Sequence, residues 1–377
     1  MKIGILTLPS SFNYGGILQA YALQHTLDKL GYDSIIIRRE RPKTPENSSN
    51  LSRKVKDLLK IVLGKPIYKV PNEAQRNIIE KECSEFIGTF MRKTRQVAYN
   101  TDELADICKE NGIDTVIVGS DQVWRPHMTA DIKNYFVDFA GDEIKKIAYA
   151  ASFGVDKWEY DEEKTTICSK LAKEFKLITV REDSGINLCN QYLGVDATHV
   201  LDPTMLLEPE DYISLAERSR VGDSEGDLFC YILNENNNKE TFINQVAKHT
   251  GCTPFSVMPK RDPYFNNNVN KNINECIYPS PASWIKAFLD AKYVITDSFH
   301  GTVFSIIFNK PFWVIGNKSR GNARFDSLLR TYKLEHRFID NIKDTNIDLT
   351  SEIDWNSVNA IRKEKKEFSI NLLTRAI

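Results

Sequence analysis

The chain contains no run of about twenty apolar residues, so no segment is expected to span a bilayer. Its opening residues, Met1 to Leu8, lack the longer apolar core and small-residue cleavage site of a signal peptide, and a soluble protein is expected. Seven cysteines, an odd number, lie scattered between Cys83 and Cys276 without Cys-x-x-Cys or Cys-x-x-His spacing. That pattern argues against a disulfide framework and against structural zinc, and fits a reducing cytoplasm. Charge of one sign is not in excess either: 50 basic residues face 51 acidic ones. No global field exists to draw nucleic acid, so an anionic ligand must find its cations locally. There is no Gly-x-Gly-x-x-Gly fingerprint and no internal repeat. Histidine is scarce, six in all. Five of these, His25, His127, His199, His249 and His336, have no partnered spacing with cysteine or carboxylate and read as structural, so no metal site is expected.

What the chain does have is α/β periodicity. At 377 residues it exceeds the size at which one core keeps growing, and two domains are the default. Strand-like runs at Lys2–Leu8 and Ser34–Arg38 flank a helical stretch, Ile17–Leu30, that ends at Gly31. After a Pro-, Ser- and Asn-rich start, residues 41 to about 110 read as a helical insertion. Strands resume at Asp114–Val118, Lys146–Ala150, Leu177–Val180 and His199–Leu201, which completes a doubly wound domain over residues 1–205. A second domain, 206–345, has strands at Leu228–Leu233 and Thr253–Met258, and 346–377 is a terminal helix expected to return across the first domain. Asp202-Pro203-Thr204 reads as the hinge between the two.

The most informative stretch is Thr296-Asp297-Ser298-Phe299-His300-Gly301-Thr302. A helix from Ser280-Pro281, a buried strand Tyr293–Thr296, a helix from Gly301 to Phe308 and a strand Pro311–Ile315 surround it. His300 thus falls between a strand's carboxyl end and a helix's amino end, the place where open α/β sheets hold ligands. Free N–H groups there favour anions, and an imidazole titrating near neutrality can move protons. The alternative is a capping or packing histidine. Asp297 either orients His300 or caps the helix.

Other pieces at strand ends are Asn13-Tyr14-Gly15-Gly16, Gly119-Ser120-Asp121-Gln122-Val123-Trp124, Ala150-Ala151-Ser152-Phe153-Gly154, Val180-Arg181-Glu182-Asp183-Ser184 and Leu201-Asp202-Pro203-Thr204. The paired glycines, Gly15 and Gly16, let backbone approach a ligand closely. Ser120, Asp121 and Gln122 suit sugar hydroxyls, and Trp124 suits a sugar face; the competing readings are a helix cap and a core tryptophan. Arg181 offers a planar fork for carboxylate or phosphate, or else a salt bridge with Glu182 or Asp183.

In that order, with the His300 segment, the set resembles the polysaccharide pyruvyl transferase family from about residue 3 to residue 330. The resemblance implies two Rossmann-like halves facing a cleft, as in GT-B glycosyltransferases. It also implies transfer of the pyruvyl group of phosphoenolpyruvate, as donor substrate and without another cofactor, onto a sugar of a bacterial cell-surface polysaccharide or its precursor, giving a cyclic ketal and phosphate. It maps a catalytic histidine onto His300 and an active-site arginine onto Arg181, with Asn13, Ser298, Phe299 and Gly301 among the binding residues. Whether the acceptor is lipid-linked, and whether peripheral membrane association brings the protein to it, stays open. Described members often carry Arg two positions before that histidine, where this chain has Ser298. Lys318, Arg320 or Arg324 would then supply the missing charge. Two rival functions are a nucleotide-sugar glycosyltransferase of similar architecture and a catalytically silent sugar- or anion-binding protein.

Overall fold

The computed structural model describes residues 1–9, 11–42, 70–265, 268–316, 321–340, 342 and 348–377. Six strands make the first sheet: β1 (Lys2–Leu6), β2 (Asp33–Ile36), β3 (Thr115–Val118), β4 (Lys145–Ala151), β5 (Leu177–Val180) and β6 (Thr198–His199), in spatial order β2-β1-β3-β4-β5-β6. Five make the second: β7 (Leu228–Tyr231), β8 (Pro254–Phe255), β9 (Tyr293–Thr296), β10 (Phe312–Ile315) and β11 (Phe338–Ile339), in order β11-β10-β9-β7-β8. All described strand pairs are parallel. With helices between the strands this is a two-domain, Rossmann-like α/β architecture, as the periodicity predicts.

Alternate strand residues face opposite ways, and this sorts the apolar side chains into layers. Ile117, Ile147 and Tyr149 of the first sheet enter one cluster, whereas Val116, Val118 and Ala148 enter another. In the second sheet Phe229, Val294, Phe312 and Val314 join the first of these clusters, while Leu228, Ile295 and Trp313 form a third. One apolar layer is therefore common to both sheets. Tyr14, at the start of the first helix, helps bridge it, its ring 5.8 Å from that of Trp284 and 6.2 Å from that of Tyr231.

Two helix starts differ from the sequence reading, each for a local reason. The helix after β1 spans Tyr14–Lys29, so Gly15 and Gly16 lie in its first turn and not in a loop before it. A Cβ at Gly15 would come within 2.0 Å of His300 Nδ1, so glycine is required there by close approach. The helix after β9 spans Phe299–Ile307, because Ser298 acts as its N-cap, accepting from the Gly301 N–H at 3.4 Å. Within the segment read as an insertion, 43–69 lie outside the described residues. The remainder forms helices Glu73–Ile79, Lys81–Phe90 and Thr101–Asn111, and parallel bridges from Ile36 to Lys93 and from Arg39 to Ala98 extend the sheet edge.

The helix Trp355–Ala376 touches both sheets' surroundings. Ser369 Oγ accepts from the Leu201 N–H (3.2 Å), and Arg362 donates to the Ile307 carbonyl (3.4 Å). No helix among the described residues is long and apolar enough to cross a membrane.

The helix carrying His300 sits tightly on its strand: a Cβ at Gly301 would lie 2.2 Å from Thr296 Oγ1 and 2.9 Å from Thr296 Cβ. Gly301→Ala is expected to lower stability by about 1–3 kcal/mol in urea unfolding, through overpacking against a β-branched side chain. Gly88→Ala is the control. Gly88 is exposed in the helix Lys81–Phe90 with nothing within 4 Å of its Cβ position, and the substitution should stabilise by about 0.5–1 kcal/mol.

Candidate active site

Three strand ends of the first sheet and one of the second converge on a single carboxylate, that of Asp202. Ser120 follows β3, Arg181 follows β5, Asp202 lies just past β6, and His300 follows β9. All four side chains are buried. Asp202 Oδ1 caps the short 3₁₀ turn Pro203–Leu206, accepting from Thr204 N (3.0 Å) and Thr204 Oγ1 (2.7 Å). Its other oxygen, Oδ2, accepts from Arg181 Nη1 (2.9 Å) and Ser120 Oγ (2.9 Å) and stands 3.6 Å from His300 Nε2. At that distance the imidazole nitrogen stands against the carboxylate without a hydrogen bond. Burial by itself would raise the Asp202 carboxyl, but His300, Arg181 and Thr204 outweigh it and hold it well below the usual carboxylate range.

Asp202 thus does more than mark a hinge, which is where the sequence reading placed it. One oxygen does the capping that an Asp-Pro pair advertises; the other enters the site, and nothing in the local sequence signals that second role.

Arg181 pairs with Asp202 and, at 3.4 Å, with Asp121, not with its neighbours Glu182 and Asp183. Burial disfavours its charge, yet Asp202, Asp121 and Glu182 together push the guanidinium above its ordinary value. Its Cζ lies 4.6 Å from the centre of the Phe299 ring, and Arg324 Cζ lies 5.8 Å from the same ring. Two buried guanidiniums therefore share one phenyl ring next to His300. Burial first, and Arg181 second, pull Arg324 down to about 10, which leaves it cationic at neutral pH. Of the three candidates for the missing charge, Lys318 and Arg320 lie outside the described residues; Arg324 is at this spot.

The remaining candidates divide. Asp121 has φ 76, a conformation uncommon for a non-glycine residue, and its carbonyl accepts from Val123 N (2.7 Å) and Ser152 N (3.1 Å); it faces Arg181 and caps no helix. Gly15 lies against His300, while Asn13 is exposed at the helix N-cap position without a side-chain cap bond. Gly16 is buried and its carbonyl accepts from Gln19 Nε2 at 3.0 Å. Gln122 is turned aside, accepting from Arg125 Nη1 at 3.1 Å. Trp124 is a correction: fully buried, it stacks on Phe136 with centroids 4.9 Å apart and donates to the Tyr135 carbonyl, so it belongs to the core and offers no face to a sugar. Asp297 is another. Its carboxylate accepts from Leu233 N (2.6 Å), Asn234 N (3.1 Å) and Lys239 Nζ (2.6 Å), and it neither orients His300 nor caps the helix. Ser298 supplies that cap, which is the local reason a small hydroxyl stands there.

Glu182, read only as a salt-bridge partner, instead holds a turn: its Oε1 accepts from Ser152 Oγ, Phe153 N and Gly154 N at 2.8–3.0 Å. His199 Nε2 lies 3.0 Å from the Arg181 carbonyl, and burial lowers its pKa. Among the described residues no three His, Cys, Asp or Glu side chains form a group able to hold a metal ion. All seven cysteines are buried and free.

Residues 13–319 match the family model described as polysaccharide pyruvyl transferase. The chain belongs to that family. It is accordingly a transferase acting on polysaccharide, and the convergence at Asp202 lies within the matched span. No curated protein matches the chain in sequence. Among solved structures, UDP-GlcNAc 2-epimerase from Methanocaldococcus jannaschii is similar at a TM-score of 0.51 and 13% identity, covering 100% of both chains. The UDP-GlcNAc 2-epimerase from Neisseria meningitidis bound to UDP-GlcNAc gives 0.46 at 12%, again over 100% of each. These likenesses concern the fold alone, which is GT-B-like.

Removing one partner of a buried ion pair strands the other charge. Asp202→Ala is therefore expected to cost about 3–5 kcal/mol in denaturant unfolding. The double variant Arg181→Met/Asp202→Leu should recover most of that loss, because neither charge is left buried alone; equal instability of the two variants would show that packing, not charge, governs the site.

Proposed function

We propose that the protein transfers the pyruvyl group of phosphoenolpyruvate onto two hydroxyls of a sugar, forming a cyclic ketal, with His300 as proton shuttle. The observation that carries this reading is the pair of buried guanidiniums, Arg181 and Arg324, both within 6 Å of the centre of the Phe299 ring and beside the His300–Asp202 pair. Phosphoenolpyruvate brings three negative charges, and each would cost several kcal/mol to desolvate without a paired cation or N–H donor. Arg324 takes the place of the arginine that described members carry where this chain has Ser298.

The methylene carbon of phosphoenolpyruvate gains a proton, which makes C2 oxocarbenium-like. A sugar hydroxyl oxygen bonds to C2 and loses its proton. A second hydroxyl then bonds to C2 as the C2–O(phosphate) bond breaks, and its proton leaves with hydrogen phosphate. Each step moves one proton, first onto the methylene carbon and then from hydroxyls bonding to the adjacent C2, which suits one imidazole acting alternately as acid and base. Asp202, held ionised, stabilises the imidazolium formed when His300 accepts a proton, while Arg181 and Ser120 fix the direction of the carboxylate.

His300→Asn should lower turnover by roughly 100-fold or more while leaving the affinity for phosphoenolpyruvate almost unchanged, read from phosphate release in the presence of sugar acceptors and from calorimetric titration. A fully active variant would remove His300 from the mechanism.

Arg324→Met should weaken phosphoenolpyruvate binding by about 1.5–3 kcal/mol, the worth of a charged hydrogen bond, with UDP titrated alongside as the competing donor class. Unchanged affinity for phosphoenolpyruvate, or tight binding of UDP alone, would move the donor away from this pair of arginines.

A further inference from the structure

The donor reading leaves the second substrate without a site, and the strand order supplies one. In the second sheet β9, which delivers His300, lies between β10 and β7. On the β10 side the following helix, Ala323–Tyr332, brings Arg324 to Phe299. On the β7 side the chain leaves the strand as Leu233-Asn234-Glu235-Asn236-Asn237-Asn238. Loops at the carboxyl ends of adjacent parallel strands form one side of a ligand crevice. A histidine that passes protons between two substrates stands between them, so with the donor charge met on the β10 side the acceptor belongs on the β7 side.

That loop is fastened to the catalytic strand end. Asp297, buried between Thr296 and the Ser298 cap, takes the Leu233 and Asn234 N–H groups and the Lys239 ammonium, and Lys239 also donates to the Asn234 carbonyl at 2.8 Å. A buried Lys–Asp pair contributes little net stability over apolar packing, so its consequence here is position: it fixes the loop relative to His300. The exposed groups it presents are carboxamides and one carboxylate, Glu235, Asn237 and Asn238. Asn236 is occupied as N-cap of the helix Asn237–Thr250. Asn13, at the start of the first helix, is also exposed, and the ring of its neighbour Tyr14 lies 6.2 Å from that of Tyr231, the last residue of β7. The buried Tyr14 hydroxyl has no hydrogen-bond partner among the described residues.

We propose that Asn13 with Glu235, Asn237 and Asn238 forms the acceptor-binding wall of the cleft, and that its ligand is a neutral polyhydroxylated sugar. Carboxamides both donate and accept, which matches hydroxyls, and the one cation of the loop, Lys239, is committed to Asp297 and Asn234. The cleft is thereby divided into a cationic end for the donor and a polar end without a free cation of the loop for the acceptor. This inference rests on the pyruvyl-transfer reading for its division of labour.

The test uses the full chain with Asn237→Ala/Asn238→Ala, which leaves the Asn236 cap in place. Binding is read on an array of neutral and anionic glycans with phosphoenolpyruvate present, and donor affinity by calorimetric titration with phosphoenolpyruvate alone. Wild type should retain a set of neutral glycans, and the double variant should bind them tenfold more weakly or worse with unchanged donor affinity. Lys239→Met, which frees the loop, should weaken glycan binding in the same direction. Glycan binding unaffected by the double variant overturns the proposal, as does a wild type that binds phosphoenolpyruvate but no neutral glycan. A wild type that binds glycans through this loop but not phosphoenolpyruvate leaves the wall standing and overturns the donor reading instead.

Discussion

The two oxygens of Asp202 hold the site together, and they do so by facing different ways. Oδ1 closes a turn within the first half of the chain, while Oδ2 receives a guanidinium and a hydroxyl from that half and faces the imidazole of the other. A carboxylate with all of these neighbours stays ionised although it is buried, because the donors and the cations together exceed the cost of desolvation. Without it Arg181 would keep the longer contacts to Asp121 and Ser120, and His300 would lose the carboxylate 3.6 Å from its Nε2. The geometry of the candidate site depends on this pairing before it depends on any substrate.

Around it the two arginines stand in different electrostatic surroundings. Arg181 is matched by Asp202 and Asp121, whereas Arg324 is depressed by burial and by Arg181 itself. Burial and the neighbouring Arg181 both work against the Arg324 charge, while Asp121 and Glu182 work for it. Both cations lie against the ring of Phe299, and the cap made by Ser298 aims the helix amino terminus into the same region.

Much of the fold was legible because parallel strands buried on both faces leave long apolar marks between helical stretches. β5 and β9 were readable to the residue. β11 was not, being two residues long with no room for a period. The starts of the two helices nearest the site also escaped, since both are set by tertiary contact or cap chemistry: Gly15 by the imidazole against it, and Phe299 by the Ser298 hydroxyl. In the site, His300 and Arg181 stand at strand ends where the sequence pattern put them, but their partners were illegible. Asp202 looked like part of a hinge because one of its oxygens caps the turn at the junction. Asp297 looked like a partner for His300 because it is three residues away, yet strand geometry turns it to the β7 loop. Trp124 carries the same letter whether it lies on a surface or in a core, and only its stacking on Phe136 tells which.

The contact between Gly15 and His300 binds the two halves of the chain in a way that concerns inheritance as much as chemistry. The backbone of residue 15 occupies the space any side chain there would claim from the imidazole. A chimera joining the amino-terminal half of one such protein to the carboxyl-terminal half of another would have to carry this pair across together. A lineage that lost the histidine would release position 15 from its constraint, and one that kept it should hold position 15 to glycine, so the two positions should change together although they stand far apart in the chain.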